Sequence, residues 1–311
     1  MLARLPSSRT GVLRSGGKRP GTYLQRPATS KSEVNAMSRV YDAHAYLGNN
    51  KGWGAFGLPV PFDGPHWVKY LDYCGFDGAL VAPPGVGAGE DFKPDMDRIA
   101  DAMKRYPGRF YGFCRLKPRR GKAALEELKR RHGQGFKAVK FNTLDDNYTL
   151  ADRSLLDPVL ETADKLGGMT MYFHTGDRHG ATCQPAMVGN MAADFPDMTF
   201  MIGHCGYPGW TDQIVPTLLK NTNTVCETAG VFNPYIVQGI IDATSADRVL
   251  LGSNGPNSPI EIARLFVEKH LGKLTPAEKA KVAGGNFERW ILKTKPAAAK
   301  RPAASGKERQ A

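Results

Sequence analysis

Four apolar runs of this chain end in a polar residue suited to an active site, and this pattern constrains the fold more than any other feature. The runs are rich in Val, Ile, Leu, Phe and Met and have the length of buried β-strands. In a barrel of parallel strands, the carboxyl ends all point to one face, and chemistry takes place on that face. The pattern predicts that three imidazoles and one amide converge there. The runs end at His44, His174, His204 and Asn254.

Between residues 39 and 293, eight such runs alternate with helix-like segments, which favours an α/β fold of the (β/α)8 TIM-barrel type. A doubly wound open sheet is the rival fold. It normally carries a Gly-rich phosphate turn after its first strand, whereas this chain continues there as Ala45-Tyr46-Leu47-Gly48-Asn49. Strands are predicted at 39–44, 77–83, 109–116, 136–142, 169–174, 198–204, 223–228 and 248–253. The clearest helices are predicted at 95–106, 121–132, 153–166, 233–243, 259–271 and 276–282.

The net charge of +12 is concentrated at the two ends of the chain. Residues 1–32 carry seven Lys/Arg and no acid, and residues 293–311 carry six Lys/Arg and one acid, whereas residues 33–292 are neutral overall. A neutral body with basic ends is not a basic binding surface, so nucleic acid is not expected as a partner. No run of 18 apolar residues could span a membrane. The expected partner is a small-molecule substrate, together with a second copy of the chain in a homo-oligomer.

Composition divides the chain into three predicted parts. Residues 1–36 are a disordered basic extension, either an organelle transit segment or sequence upstream of a true start at Met37. Residues 37–293 form the barrel, and residues 294–311 a disordered basic tail. The five cysteines are odd in number and show no C-x-x-C spacing, which fits a reducing compartment. A cytoplasmic location is therefore predicted, with organelle import as the alternative if the extension is real.

Six motifs follow one another in order through residues 39–293. They are Asp42-Ala43-His44, Gly135 to Lys140, His174-Thr175-Gly176, Phe195 to Gly206, Asp247 to Pro256, and Gly284 to Arg289. In this order they resemble the amidohydrolase superfamily, in particular its branch of small mononuclear hydrolases and decarboxylases related to aminocarboxymuconate-semialdehyde decarboxylase. The resemblance implies an amidohydrolase-like barrel and an enzyme.

The resemblance also implies a mononuclear metal site, but two of its four usual ligands are replaced. His44 and His174 match the family's ligands, whereas Tyr46 stands at the position of a histidine and Asn254 at that of an aspartate. A neutral amide binds a metal more weakly than a carboxylate and cannot serve as a general base. If His204 joins the other two imidazoles, the three could still hold one divalent ion such as zinc with an open position. A zinc site and a metal-free site therefore both stay open.

Catalytic roles are predicted for four residues. His204 is the candidate general acid or base. Asn254 and Tyr46 are candidates for hydrogen bonds to the reacting group, because a donor near a developing oxyanion stabilises it. Glu227 ends the seventh strand and is the nearest replacement for the missing base.

Substrate-binding roles are predicted for three residues. Lys140 and Arg178 could each fix a substrate carboxylate, and Trp53 could form an apolar wall of the pocket. The structural alternatives are a salt bridge of Lys140 inside the barrel rim and an ion pair of Glu227 with Lys140 or Arg178.

Three functions remain open from the sequence. The first is hydrolysis of a small organic acid, lactone or amide, with His204 as general acid or base. The second is decarboxylation, which the related branch also performs. The third is a barrel that has lost its chemistry and binds a ligand or a partner.

Overall fold

A computed structural model describes residues 39–85, 91–176 and 181–293 of the chain. The predicted extension 1–36, the predicted tail 294–311 and the candidate Arg178 lie outside the described residues. None of the described helices is long and apolar enough to cross a membrane.

Eight parallel strands follow one another around a single sheet in the order of the chain. Their residues are almost all buried, because helices cover the outer face and side chains fill the interior. The strands are β1 Tyr41–Tyr46, β2 Gly78–Ala82, β3 Phe110–Arg115, β4 Ala138–Phe141, β5 Thr170–Phe173, β6 Thr199–Ile202, β7 Thr224–Glu227 and β8 Val249–Leu250.

Backbone hydrogen bonds between the first strand and the segment after β8 close the sheet. The Ala43 N–H donates to the Leu251 carbonyl at 2.8 Å, and the Asn254 N–H donates to the His44 carbonyl at 2.9 Å. The closure confirms the predicted (β/α)8 barrel, and each of the eight predicted strands overlaps a strand of the structure. Seven observed strands are shorter than predicted, because polar residues predicted at their ends, such as His174 and His204, lie one or two positions beyond them. The first strand, β1, begins and ends two residues later than the predicted 39–44.

The predicted helices are all present, and the structure adds four that the sequence did not single out. The helices are α1 Gly64–Cys74, α2 Lys93–Arg105, α3 Lys122–Gly133, α4 Arg153–Leu166, α5 Pro185–Asp194, α6 Ile214–Lys220, α7 Pro234–Ala243, α8 Ile260–Leu265, α9 Pro276–Ala280 and α10 Asn286–Trp290. The Asp152 side chain caps α4 by accepting from the Leu155 N–H. Thr275 and Glu278 form a capping box at α9. The additional helices are α1, α5, α6 and α10.

A glycine in β3 allows the barrel wall to pack closely. A Cβ at Gly112 would lie 2.5 Å from Cδ1 of Phe136, a buried ring with little room to move. We expect Gly112→Ala to lower the free energy of unfolding by about 1–3 kcal/mol, the usual cost of overpacking. Gly133→Ala, where a Cβ would meet nothing within 4 Å, is the matched control. Chemical denaturation of both variants measures the difference, and equal stabilities would contradict the packing argument.

Candidate active site

A polar cavity of about 550 Å³ lies at the carboxyl ends of the strands. This is the face on which barrels of parallel strands carry their active sites. Two imidazoles, two phenols and several amides line the cavity, so it can bind a polar molecule of modest size. Its lining includes Tyr46, Asn142, Asp145, His174, His204 and Asn254.

The imidazoles of His174 and His204 face each other across the floor of this cavity. Their Nε2 atoms lie 3.1 Å apart, which is hydrogen-bond distance. His204 Nδ1 lies 2.5 Å from the carbonyl oxygen of Ala229, and because a carbonyl only accepts, this nitrogen carries a proton. Neutral His204 therefore has a lone pair on Nε2. The two Nε2 atoms share one proton, which His174 donates.

The backbone that carries His204 is strained. His204 and Cys205 have φ values of 56° and 47°, in the left-handed region that non-glycine residues rarely adopt. Residues in such conformations cost about 1–3 kcal/mol each and cluster at active sites. The side chain of Glu227 holds this turn by accepting the His204 N–H at 2.8 Å. The strain therefore fixes the direction of the His204 imidazole.

A chain of buried polar groups lies beneath the cavity floor, inside the barrel. Lys140 Nζ lies 2.6 Å from His44 Nε2 and 3.0 Å from the Tyr46 hydroxyl. His44 Nδ1 lies 3.0 Å from the Tyr172 hydroxyl, which in turn donates to Glu227 at 3.2 Å. With Lys140 as the donor to Nε2, His44 carries its proton on Nδ1 and donates toward Tyr172 and Glu227. The chain thus links a buried amine to a buried carboxylate.

Burial and contacts shift the pKa values of these groups. Burial and the neighbouring Lys140 lower the pKa of His44 from 6.5 to about 3. Burial also lowers the pKa of Lys140 well below its usual value. Burial acts to raise the pKa of Glu227, but contacts with His44 and His204 outweigh it and lower this pKa to about 2. Glu227 is therefore an anion and His44 a neutral imidazole at neutral pH.

A second buried carboxylate supports the segment that follows β8. Asp42 accepts the N–H groups of His44 and Ser253 at 3.0 Å each, and it also bonds the Ser253 hydroxyl. These contacts fix the turn that places Asn254 in the cavity wall with a φ of 64°. The amide oxygen Oδ1 of Asn254 is buried and has no hydrogen-bond partner among the described residues. It is therefore an acceptor to which a bound molecule can donate.

The three imidazoles that the sequence predicted to converge do lie together, with ligand atoms within 4.8 Å of one another. Of the other candidates, Tyr46 and Asn254 line the cavity. Lys140 and Glu227 are fully buried beneath it and do not line it. Trp53 is buried as well, and its Nε1 donates to Asn257 at 2.8 Å. Lys140 and Trp53 were predicted to contact the substrate, but neither lines the cavity. The residues to which they donate, Tyr46 and Asn257, line it instead.

The sequence did not single out several polar residues of the site. Tyr172 precedes His174 by two positions on one strand, and period-two alternation could have placed both on the same face. Asn142 and Asp145 follow β4 in a loop, and Asn142 donates to Asp145 at 2.9 Å. No local pattern distinguishes such loop residues from solvent-exposed ones.

The low pKa of His44 predicts that acid destabilises the protein. Between pH 6.5 and about 3, the unfolded chain binds a proton at this residue and the native protein does not. Its contribution to stability therefore falls as the pH falls, by up to about 1.4 kcal/mol per pH unit. Chemical denaturation between pH 7 and pH 4 should show a steeper loss for the wild type than for His44→Gln. Parallel curves would contradict the assignment. Burial raises the pKa of Asp42 to about 7, so the stability that this residue contributes increases as the pH falls. This contribution is the same in the wild type and in His44→Gln, and it cancels when the two proteins are compared.

The donor set does not fit a divalent ion held by three imidazoles. The 3.1 Å between the Nε2 atoms of His174 and His204 suits two ligands of one ion, which lie about 3.3 Å apart on tetrahedral zinc. His44 has no lone pair to offer, since its Nε2 accepts from Lys140 and its Nδ1 faces Tyr172 and Glu227. The position that would need a carboxylate is the neutral amide of Asn254. A dication would also lie close to the amine of Lys140.

The structure is a closed eight-stranded TIM barrel, and a pair of imidazoles lies at the carboxyl ends of its strands, where enzymes of this fold carry their active sites. A sequence model of the family described as amidohydrolase matches residues 72–291. The chain therefore belongs to the amidohydrolase family. Among curated proteins, none matches the chain significantly.

Solved structures of known enzymes share this fold. The 5-carboxyvanillate decarboxylase of Sphingomonas paucimobilis is 16% identical, with a TM-score of 0.64 over 82% of this chain and 99% of that one. The 5-carboxyvanillate decarboxylase of Novosphingobium aromaticivorans, solved in complex with manganese, is 17% identical, with a TM-score of 0.63 over 82% and 96% of the chains. A probable 2-pyrone-4,6-dicarboxylic acid hydrolase of Acinetobacter baumannii is 13% identical, with a TM-score of 0.61 over 82% and 99%.

Proposed function

We propose that this protein is a carboxy-lyase that removes carbon dioxide from a small hydroxylated or unsaturated carboxylic acid by acid–base chemistry. The single observation that carries the proposal is the pair of imidazoles, His174 and His204, whose Nε2 atoms lie 3.1 Å apart at the cavity floor. The pair can hold and deliver a proton, and a decarboxylase must deliver one to carbon. The similarity to decarboxylases of the same fold supports this choice over hydrolysis.

The protonation of the imidazole pair depends on the charge of the molecule bound beside it. Burial lowers the pKa of His204, so the imidazole is neutral in the empty site. A substrate carboxylate brings a negative charge near the pair and raises its proton affinity. The pair then takes up a proton that was absent before binding.

The proton balance of the reaction is simple. The carbon–carbon bond to the carboxylate breaks, its electron pair passes to the substrate carbon, and carbon dioxide leaves. That carbon takes the proton from His204 Nε2, and solvent returns one proton to the imidazole pair. The net change is R–COO⁻ plus H⁺ to R–H plus carbon dioxide.

Two further groups of the site would bind the substrate during this step. Lys140 donates to the Tyr46 hydroxyl, and a phenol that accepts such a bond is a better donor toward the cavity. Tyr46 would donate to the oxygen on which charge accumulates. The amide oxygen of Asn254 would accept a hydroxyl of the substrate. No step is assigned to a metal, because His44 has no lone pair for one.

Hydrolysis of a lactone is a second candidate, supported by one specific feature. The Ala229 carbonyl orients His204 so that its Nε2 could accept a proton from water. Against it stands Asn254, whose amide cannot provide the carboxylate base that the family's hydrolases place there.

The test is a panel of ortho-hydroxylated benzoates, including 5-carboxyvanillate, together with 2-pyrone-4,6-dicarboxylate as the lactone. We expect carbon dioxide and the decarboxylated product in equal amounts. In D₂O, one deuterium should appear at the carbon that lost the carboxylate. Opening of the lactone without carbon dioxide release would favour the hydrolase instead. Binding of several acids without turnover would leave a binding protein.

A further inference from the structure

A second cavity, of about 190 Å³, lies beside the catalytic one. It is bounded by the segment that leads into α2, by the end of β3 with the turn after it, and by the first turns of α3. Four of the residues that line it are basic and two are acidic. The basic ones are Lys93, Arg115, Lys117 and Arg120, and the acidic ones are Asp91 and Glu127.

Two of these cations carry buried nitrogens without acceptors. Arg115 has a fully buried side chain, yet its Nη1 has no hydrogen-bond partner among the described residues. The buried Nζ of Lys117 also has none in the same part of the chain. Buried polar groups are nearly always hydrogen-bonded, and a buried charged donor without an acceptor is costly. Such groups point to a ligand that supplies the acceptors.

The ring of Phe92 contacts both cations. The guanidinium carbon of Arg115 lies 4.2 Å from the centre of the Phe92 ring, and the Lys117 ammonium lies 5.2 Å from it. The ring is buried and attracts both positive charges through its face. The two donors are thereby preorganised, and a ligand need not order them.

The acids around this cavity already bind other cations. Asp91 pairs with Arg120 at 3.6 Å, and Glu127 binds Arg130 and Arg131. No described acid forms an ion pair with Lys117 within 4 Å. Arg115 pairs with Asp145 and Asp146 through Nη2, which leaves its Nη1 and the charge of Lys117 for an anion to bind.

We infer that this cavity is an anion-binding site for a small carboxylate or phosphate, which Arg115 Nη1 and Lys117 Nζ hold. Phosphate and carboxylate oxygens accept strong charge-assisted hydrogen bonds from such donors. The volume suits a phosphate or a short dicarboxylate. The site is separate from the histidine pair and does not depend on the proposed reaction.

One residue connects the two cavities. Asp145 lines the catalytic cavity and accepts from Arg115 Nη2 at 3.1 Å. An anion on Arg115 would compete with Asp145 for the guanidinium and so act on the catalytic wall. The anion is either a second acid group of the substrate or a separate small molecule.

Calorimetric titration with inorganic phosphate and with malonate, in a buffer without other multivalent anions, tests the site. We expect saturable binding to the wild type and at least tenfold weaker binding to Lys117→Gln. Lys122→Gln, at a lysine whose side chain is 90% exposed at the start of α3, removes the same charge and should bind within twofold of the wild type. His204→Ala should also bind the anions within twofold of the wild type, because the catalytic cavity is not part of this anion site.

Three results would overturn the inference. The first is that neither anion binds the wild type saturably. The second is that Lys122→Gln and Lys117→Gln lose affinity equally. The third is that His204→Ala loses affinity and Lys117→Gln does not. If Lys117→Gln does not fold, Arg120→Gln, an exposed cation of the same cavity, replaces it with a smaller expected loss of about threefold or more. Competitive inhibition of turnover by the anion would assign it to the substrate, and non-competitive inhibition to a separate ligand. Because binding is measured without turnover, the proposed reaction can fail while this site stands.

Discussion

Replacement of His204 by alanine is expected to lower kcat for decarboxylation by about 10²–10⁴-fold, the range that a positioned general acid or base contributes. His204 Nε2 faces His174 Nε2 at 3.1 Å, and the substitution removes the group that we propose to deliver the proton. We expect KM to change by much less, because Tyr46 and Asn254 would still bind the substrate. Steady-state kinetics with the best acid of the panel measure both constants.

The matched control for this substitution is His270→Ala. His270 is exposed, and it does not line the cavity. Its variant should keep kcat within twofold, and circular dichroism should show that both variants fold. If His204→Ala keeps more than a tenth of the wild-type kcat, the proton must come from elsewhere.

Replacement of Lys140 by methionine is expected to convert the site into a metal site and to abolish most of the activity. Lys140 Nζ lies 2.6 Å from His44 Nε2 and uses its lone pair. Methionine has a similar length but no donor, so the three imidazoles could then bind one ion. Contacts to a ligating histidine change metal affinity by about 10–100-fold, and the contact from Lys140 to His44 Nε2 opposes ligation. We therefore expect Zn²⁺ to bind the variant about 10–100-fold more tightly.

Metal content after dialysis against Zn²⁺ or Mn²⁺ provides a readout that does not depend on turnover. Lys137→Met is the matched control, because this lysine lies on the same segment and outside the polar chain under the cavity. It should bind metal as the wild type does. Tight stoichiometric zinc in the wild type, held as firmly as in Lys140→Met, would show that Lys140 does not block the site.

The Lys140→Met variant should also be less stable. His44 Nε2 would lose the hydrogen bond that it accepts from Lys140 inside the barrel, and a buried polar group left without its partner costs about 1–3 kcal/mol. Metal binding is therefore best measured at low temperature, where the variant stays folded. Recovery of stability on addition of zinc would itself report binding at this site.

Much of the fold follows from local patterns. Short runs such as Gly78–Ala82 are apolar on both faces, as expected of a parallel strand that is covered on both sides. The side chains of Asp152 and Thr275 cap two of the predicted helices, and such caps follow from local sequence because capping chemistry is local. Helix α5 was missed because its sequence, PAMVGNMAAD, carries no polar stripe and begins without a capping side chain.

The candidate site was predicted less completely. His44, His174 and His204 could be placed at one mouth because all strand ends of a parallel barrel share a face. Their depth could not be predicted. His44 lies in the barrel interior, two positions inside the end of β1, whereas His174 and His204 lie beyond the ends of their strands and reach the cavity. Strand length and register decide this difference, and neither is encoded in a strand's own residues.

The sequence by itself determined which side chains meet, because strand order and direction fix one face for all the strand ends. It also determined that an amide and a phenol replace two metal ligands. Only the tertiary structure decided that Lys140, 96 positions after His44, uses the lone pair that a metal would need. Hydrogen-bond partners in a barrel interior come from strands distant in the chain. Whether two such groups lie within hydrogen-bond distance depends on differences of a few tenths of an ångström, which the closure of all eight strands together decides. The contact between Lys140 and the His44 lone pair is therefore a property of the closed barrel.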